Sequence, residues 1–134
     1  MISRLLSWKR TLFNSFLPAI VWWCAVLVLM CLPGRDFPSL GSWTELISLD
    51  KIIHVTVFGF MVFLFNRPFL HKSMEVSEKR QLYLRIALAC ALWGLTIEFI
   101  QHFWIPGRSM DLLDFVADTA GCMLAYRVSR KYLI

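Results

Sequence analysis

The chain has 134 residues, 58% of them apolar and 17% charged, with a formal net charge of +5. Soluble domains carry roughly one charged residue in four, so this composition excludes an ordinary soluble domain, and the length allows one domain, 1–134. The basic residues lie beside apolar runs instead of forming a polar patch, which excludes a nucleic-acid surface and points to a membrane.

The first apolar run holds no charge from Thr11 to Gly34, and predicts a helix over about 12–32. About 20 apolar residues at 1.5 Å each cross a bilayer, so this run suffices. Arg4, Lys9 and Arg10 precede it as they would a signal peptide, but the run is too long and no small-residue cleavage site follows. Cys31 also lacks a lipobox. A second helix is expected over about 51–70; its strictly apolar part, Ile52 to Asn66, is short, so Arg67 has to snorkel and Phe69 and Leu70 to lie at the interface. The third, about 82–105, is stopped by Pro106-Gly107. The fourth, about 111–128, carries Asp114 and Asp118 in its first half. Trp8, Trp43 and Trp104 fall near span ends, where amphipathic rings settle. Cys24, Cys31, Cys90 and Cys122 form no CxxC and have no histidine at ligand spacing, so they read as small buried packing residues.

Lysine and arginine accumulate in cytoplasmic loops. Eleven of the fourteen fall in the N-terminal tail, in the segment between helices 2 and 3, and at the C-terminal end; only Arg35, Lys51 and Arg108 fall on the other side. The expectation is an all-α polytopic protein of the cell membrane: a four-transmembrane-helix bundle with both termini cytoplasmic. Acidic residues go the other way. Glu75 and Glu78 are cytoplasmic, whereas Asp36, Glu45, Asp50, Glu98, Asp111, Asp114 and Asp118 lie toward the outside.

Three segments thus bring polar groups to one level. Asp50, Lys51 and His54 open helix 2; Glu98 and Gln101 lie near the outer end of helix 3; Arg108 sits in the short outer loop; Asp111, Asp114 and Asp118 open helix 4. Residues three and four apart share a helical face. Asp111, Asp114, Asp118, Gly121 and Ala125 make one stripe, and Ala87, Ala91, Gly94, Glu98 and Gln101 another. Both run from polar into small residues, which mark close helix contact in membranes, so both should face the bundle interior. A carboxylate at the bilayer centre costs about 2.5–3.5 kcal/mol, so Arg108, Lys51 and His54 are the expected partners; an Arg108–Asp114 pair that pins the loop is the purely structural alternative. His102 reads as an interfacial residue, His71 as a solvated one, and Phe58, Met61 and Phe65 as core packing.

The pattern Asp50-Lys51-x-x-His54-x-x-x-Phe58, then Glu98-x-x-Gln101, then Arg108-x5-Asp114-x3-Asp118-x-x-Gly121 resembles the VanZ-like family of small integral membrane proteins, over about 50–126. That family takes its name from a protein linked to resistance to the glycopeptide teicoplanin. The resemblance implies a helical membrane protein with these polar positions as its signature; the family more often has Asn where this chain has Asp118.

The leading expectation is an outer-leaflet site for a cell-envelope component, either a lipid-linked headgroup or a glycopeptide, built from Asp50, Lys51, His54, Glu98, Gln101, Arg108, Asp114 and Asp118. Arg108 and Lys51 would take phosphate or carboxylate, the others sugar or amide groups. A second reading is an intramembrane hydrolase or transferase, with His54 as base oriented by Asp50 or Asp114, Glu98 as acid, and a divalent ion suiting His54, Glu98, Asp114 and Asp118. A third is an assembly subunit whose stripe meets a membrane-protein partner or another copy of the chain. No cofactor and no metal site is assigned from sequence. Transport fits poorly, because the deep charges stay in the outer half.

Overall fold

A computed structural model describes the chain path of residues 2–32 and 43–132, with side chains for 15–32 and 49–132. The side chains of Arg4, Trp8, Lys9, Arg10, Trp43 and Glu45, and all of Arg35 and Asp36, lie outside the described residues, as do the expectations placed on them. The described chain is all-helical: α1 (Ile2–Met30), α2 (Trp43–Asn66), a 3₁₀ turn (Arg67–Phe69), α3 (Val76–Trp104) and α4 (Leu112–Tyr132).

Every helix extends beyond the sequence expectation at one end or more. α2 starts at Trp43, a full two turns before residue 51, because Asp50 and Lys51 lie within the helix instead of ending it. The apolar stretch Leu49–Phe69 is long enough to cross a bilayer, close to the span of about 51–70 expected from sequence. α3 is the other helix that meets the same test, whereas the apolar part of α1, Ser15–Met30, is shorter. α3 takes up Val76 to Gln81, read from sequence as part of a basic loop. Pro68 opens the 3₁₀ turn, where its missing N–H costs nothing. At the other end of α3, Ile105 is extended and Gly107 has φ 81°, the left-handed region a side chain disfavours.

α2 is central. Its contact with α4 is the most extensive, α3 packs against both, and α1 rests mainly on α2. Two glycines set the α2–α4 distance. A Cβ on Gly121 would stand 2.2 Å from the Val55 carbonyl oxygen, and one on Gly59 3.2 Å from the Gly121 oxygen. The apolar core gathers Val26, Phe58, Met61, Tyr83, Ile97 and Cys122. Trp22 ties α1 to α2 through Nε1–H on the Val57 carbonyl, 3.1 Å. Cys90 and Cys122 are buried as expected; Cys31 is half-buried and Cys24 exposed, since α1 buries the face of Ala19, Val26 and Met30.

The distribution of polarity is inverted relative to a soluble domain. Val21, Val28, Ile52, Leu92, Phe103 and Leu124 are exposed, while His54, Asn66, Glu98, Gln101, Asp114 and Asp118 are buried.

Candidate functional site

At the end of the bundle where α2 begins, α3 ends and α4 begins, the chain places acids from all three helices around Lys51 and His54. The helical spacing does the work. Asp50 and His54 share a face of α2, and Asp114 and Asp118 share the opposing face of α4. The Lys51 ammonium donates to Asp114 Oδ1, to Asp111 Oδ2 at 3.2 Å and to Asp50 Oδ2 at 3.4 Å. His54 Nδ1 lies 2.8 Å from Asp118 Oδ1. Its other nitrogen, Nε2, faces Asp50 Oδ1 and Asp114 Oδ2, each at 3.9 Å.

Exposure grades this cluster into a recess. The Asp50 and Asp111 side chains are 46% exposed, Lys51 23%, Asp114 7%, His54 2% and Asp118 1%. Asp50 and Asp111 therefore form its mouth, and His54 with Asp118 its floor. Room for the floor comes from Gly94 of α3, where a Cβ would stand 2.7 Å from Asp118 Oδ2.

Glu98 closes the α3 side. Its Oε2 accepts the backbone N–H of Asp111 at 2.9 Å, while Oε1 is buried with no partner among the described residues. Asp111 in turn caps α4, its Oδ1 accepting the Leu113 N–H at 2.8 Å. Partial burial pushes the Asp111 carboxyl up, but the Leu113 N–H and the Lys51 ammonium outweigh it and hold Asp111 below the usual carboxylate range. Asp111 is the one member of the cluster that the eight-residue site expected from sequence omits. Its signal was present: an Asp three before Asp114, just ahead of a helix, at an N-cap position.

Gln101 and Arg108 are used differently. Gln101 Nε2 donates to the Met30 carbonyl at 2.6 Å, and Arg108 Nη1 to the carbonyls of Met30, 2.7 Å, and Leu32, 3.2 Å. Together they satisfy the Met30 carbonyl, at the end of α1 where no intrahelical donor follows, and Arg108 also the Leu32 carbonyl just beyond it. The Arg108–Asp114 pair considered from sequence does not form, because Lys51 takes Asp114 instead. His54 is likewise oriented by Asp118, not by Asp50 or Asp114. Of the eight residues, Asp50, Lys51, His54, Glu98, Asp114 and Asp118 come together, and Gln101 and Arg108 stand apart at the end of α1. His102 is exposed, edge-on to Phe103, and His71 is exposed.

Chemically the recess is rich in acceptors. Among the described residues, five carboxylates (Asp50, Glu98, Asp111, Asp114, Asp118) face one ammonium and one imidazole, and the Arg108 guanidinium is engaged elsewhere. It can bind hydrogen-bond donors and cations far better than a bare anion.

A family model described as VanZ/LLP1 matches residues 5–133. The match takes in α1 as well as the polar segments, beyond the 50–126 stretch that carries the resemblance in sequence. Among curated proteins, an uncharacterized protein of Schizosaccharomyces pombe is 34% identical over 83 residues, covering 62% of this chain and 48% of its own length. The chain thus spans about half the length of that relative. No solved structure matches.

Proposed function

The chain belongs to the VanZ/LLP1 family, and from that premise we propose that it is a four-span membrane protein whose polar recess, facing away from the cytoplasm, binds the headgroup of a cell-envelope component. The observation that carries this reading is the convergence of His54, Asp114, Asp118 and Glu98, from three helices, at one end of a bundle whose outer surface is apolar. So many costly groups exceed what docking four helices needs. The eleven basic residues of the tails and of the α2–α3 segment support cytoplasmic termini and hence an outward-facing recess.

Charge narrows the ligand. With Arg108 held by the Met30 and Leu32 carbonyls and Lys51 shared among three carboxylates, a lone phosphate finds no free cation among the described residues of the recess. Sugar hydroxyls, amide N–H groups or an amine suit the acceptors, as a lipid-linked headgroup or a glycopeptide would supply. A hydrolase or transferase reading has one observation in its favour: Asp118 fixes the His54 ring and leaves Nε2 toward the mouth, where a general base belongs.

Native mass spectrometry of the full chain in mild detergent tests the binding reading. The wild type should retain a headgroup-bearing lipid that Glu98→Gln and Asp118→Ala both lose. Retention at wild-type occupancy in both variants, each monodisperse, refutes it. A reporter inserted beside Arg108 that reads out in the cytosol refutes the orientation.

A further inference from the structure

We propose that Asp50, His54 and Asp114 form a binding site for a divalent transition-metal ion of the Zn2+ type. Headgroup binding is not a premise of this; the ion is a separate occupant of the recess mouth.

The first observation is a convergence of lone pairs. His54 Nε2, one oxygen of Asp50 and one of Asp114 lie within 4.8 Å of one another. Nε2 is 3.9 Å from Asp50 Oδ1 and 3.9 Å from Asp114 Oδ2, too far for hydrogen bonds. Lys51 does not fill the gap between them. Its ammonium holds the opposite oxygens, Asp50 Oδ2 and Asp114 Oδ1, and so leaves the inner pair turned toward the imidazole. Zinc–ligand bonds run about 2.0–2.2 Å, which sets tetrahedral ligand atoms roughly 3.4 Å apart. Closing each 3.9 Å gap by about half an ångström reaches that spacing.

The second observation is the tautomer. Where Asp118 is ionised it only accepts, and the 2.8 Å contact with its Oδ1 then assigns the ring proton to His54 Nδ1. Nε2 then presents its lone pair to the two carboxylates. A carboxylate bonded to the far nitrogen of a metal-binding histidine is the usual second partner at such sites, and it raises the basicity of the ligand.

The third is Glu98, in the same recess: its side chain is fully buried and Oε1 has no partner among the described residues, an unmet acceptor that costs about 1–3 kcal/mol. One imidazole with two carboxylates suits Zn2+ or Mn2+ better than Mg2+ or Ca2+, which prefer oxygen alone.

The test is Zn2+ titration by calorimetry of the full chain, stripped by chelator and held in detergent, with His71→Ala and His102→Ala already in place to remove the exposed imidazoles. One equivalent should bind. Asp50→Asn, at the half-exposed mouth where folding is least disturbed, should weaken it at least tenfold, Asp118→Asn by about 10–100-fold, and His54→Gln should abolish it. No saturable binding overturns the proposal, and so does binding that Asp50→Asn and His54→Gln leave unchanged. No Zn2+ binding by the chain with its site intact, while lipid is retained, would sink this inference alone; Zn2+ binding without lipid retention would sink only the headgroup reading.

Discussion

Substituting Gly121 by Ala should damage both the bundle and its recess, and the size of the effect follows from one contact. The new Cβ would stand 2.2 Å from the Val55 carbonyl oxygen and 2.9 Å from the Val55 carbonyl carbon and Cα. Ordinary carbon–oxygen contacts begin near 3.3 Å, so α2 and α4 must part by about 1 Å, because a backbone atom cannot swing aside. Parting them stretches the 2.8 Å bond between His54 and Asp118 beyond hydrogen-bonding range. Overpacking costs about 1–3 kcal/mol, and a buried bond to a charged group is worth about 1.5–3 kcal/mol. Ala gains up to about 1 kcal/mol over Gly in helix propensity. A net loss of about 3 kcal/mol corresponds to a Tm lower by roughly 10 °C for a chain of this size. Thermal unfolding in detergent reads it directly. Gly59→Ala is the internal control: its Cβ meets the Gly121 oxygen at 3.2 Å, so a few tenths of an ångström suffice and the Tm should stay near wild type. Equal Tm values for Gly121→Ala and wild type, or a larger fall for Gly59→Ala, would refute the close-approach argument.

Two further substitutions separate the recess from its support. Gly94→Ala puts a Cβ 2.7 Å from Asp118 Oδ2, a side-chain atom that can move, so ligand retention should fall several-fold while Tm falls less than in Gly121→Ala; a larger Tm loss in Gly94→Ala would contradict this. Arg108→Ala removes the donor to Met30 and Leu32, while Met30 keeps Gln101, so melting should show a loss of about 1–2 kcal/mol with ligand retention unchanged. Loss of ligand at unchanged Tm would return Arg108 to the site.

The faces of the helices were legible in the sequence because they follow from spacing alone. Asp114, Asp118 and Gly121 on α4, and Ala87, Ala91, Gly94, Glu98 and Gln101 on α3, are buried, as their period requires. The stop at Pro106-Gly107 is equally local. What escaped is what charge alone cannot tell. An apolar-run count ends at Asp50 and Lys51, yet both are paired in the recess, so α2 continues through them to Trp43. Arg108 looked like a partner for Asp114, but a guanidinium bonds a carbonyl as readily as a carboxylate, and the Met30 carbonyl is a backbone acceptor that no residue letter marks. Which of two nearby cations takes Asp114 depends on the packing of α1, and that is not written in the spacing of helices 2 to 4.

The same reasoning explains how α4 belongs to the bundle although it is not among the helices apolar enough to span by average hydropathy. An average counts Asp114 and Asp118 against the helix wherever they point. Both are turned onto α2 and α3, where Lys51 and His54 meet them. The face turned outward is Leu112, Leu113, Val116, Leu124 and Val128, all exposed. In the four-span reading, lipid meets that apolar face, Arg127, Arg130 and Lys131 are exposed toward the far end of the helix, and the carboxylates are solvated by the protein. The cost of burying them is then borne by the neighbouring helices instead of the bilayer. It follows that α4 should depend on α2 for its place in the membrane more than on its own hydrophobicity, which is why the contact at Gly121 and Val55 matters more than any single leucine on the outer face.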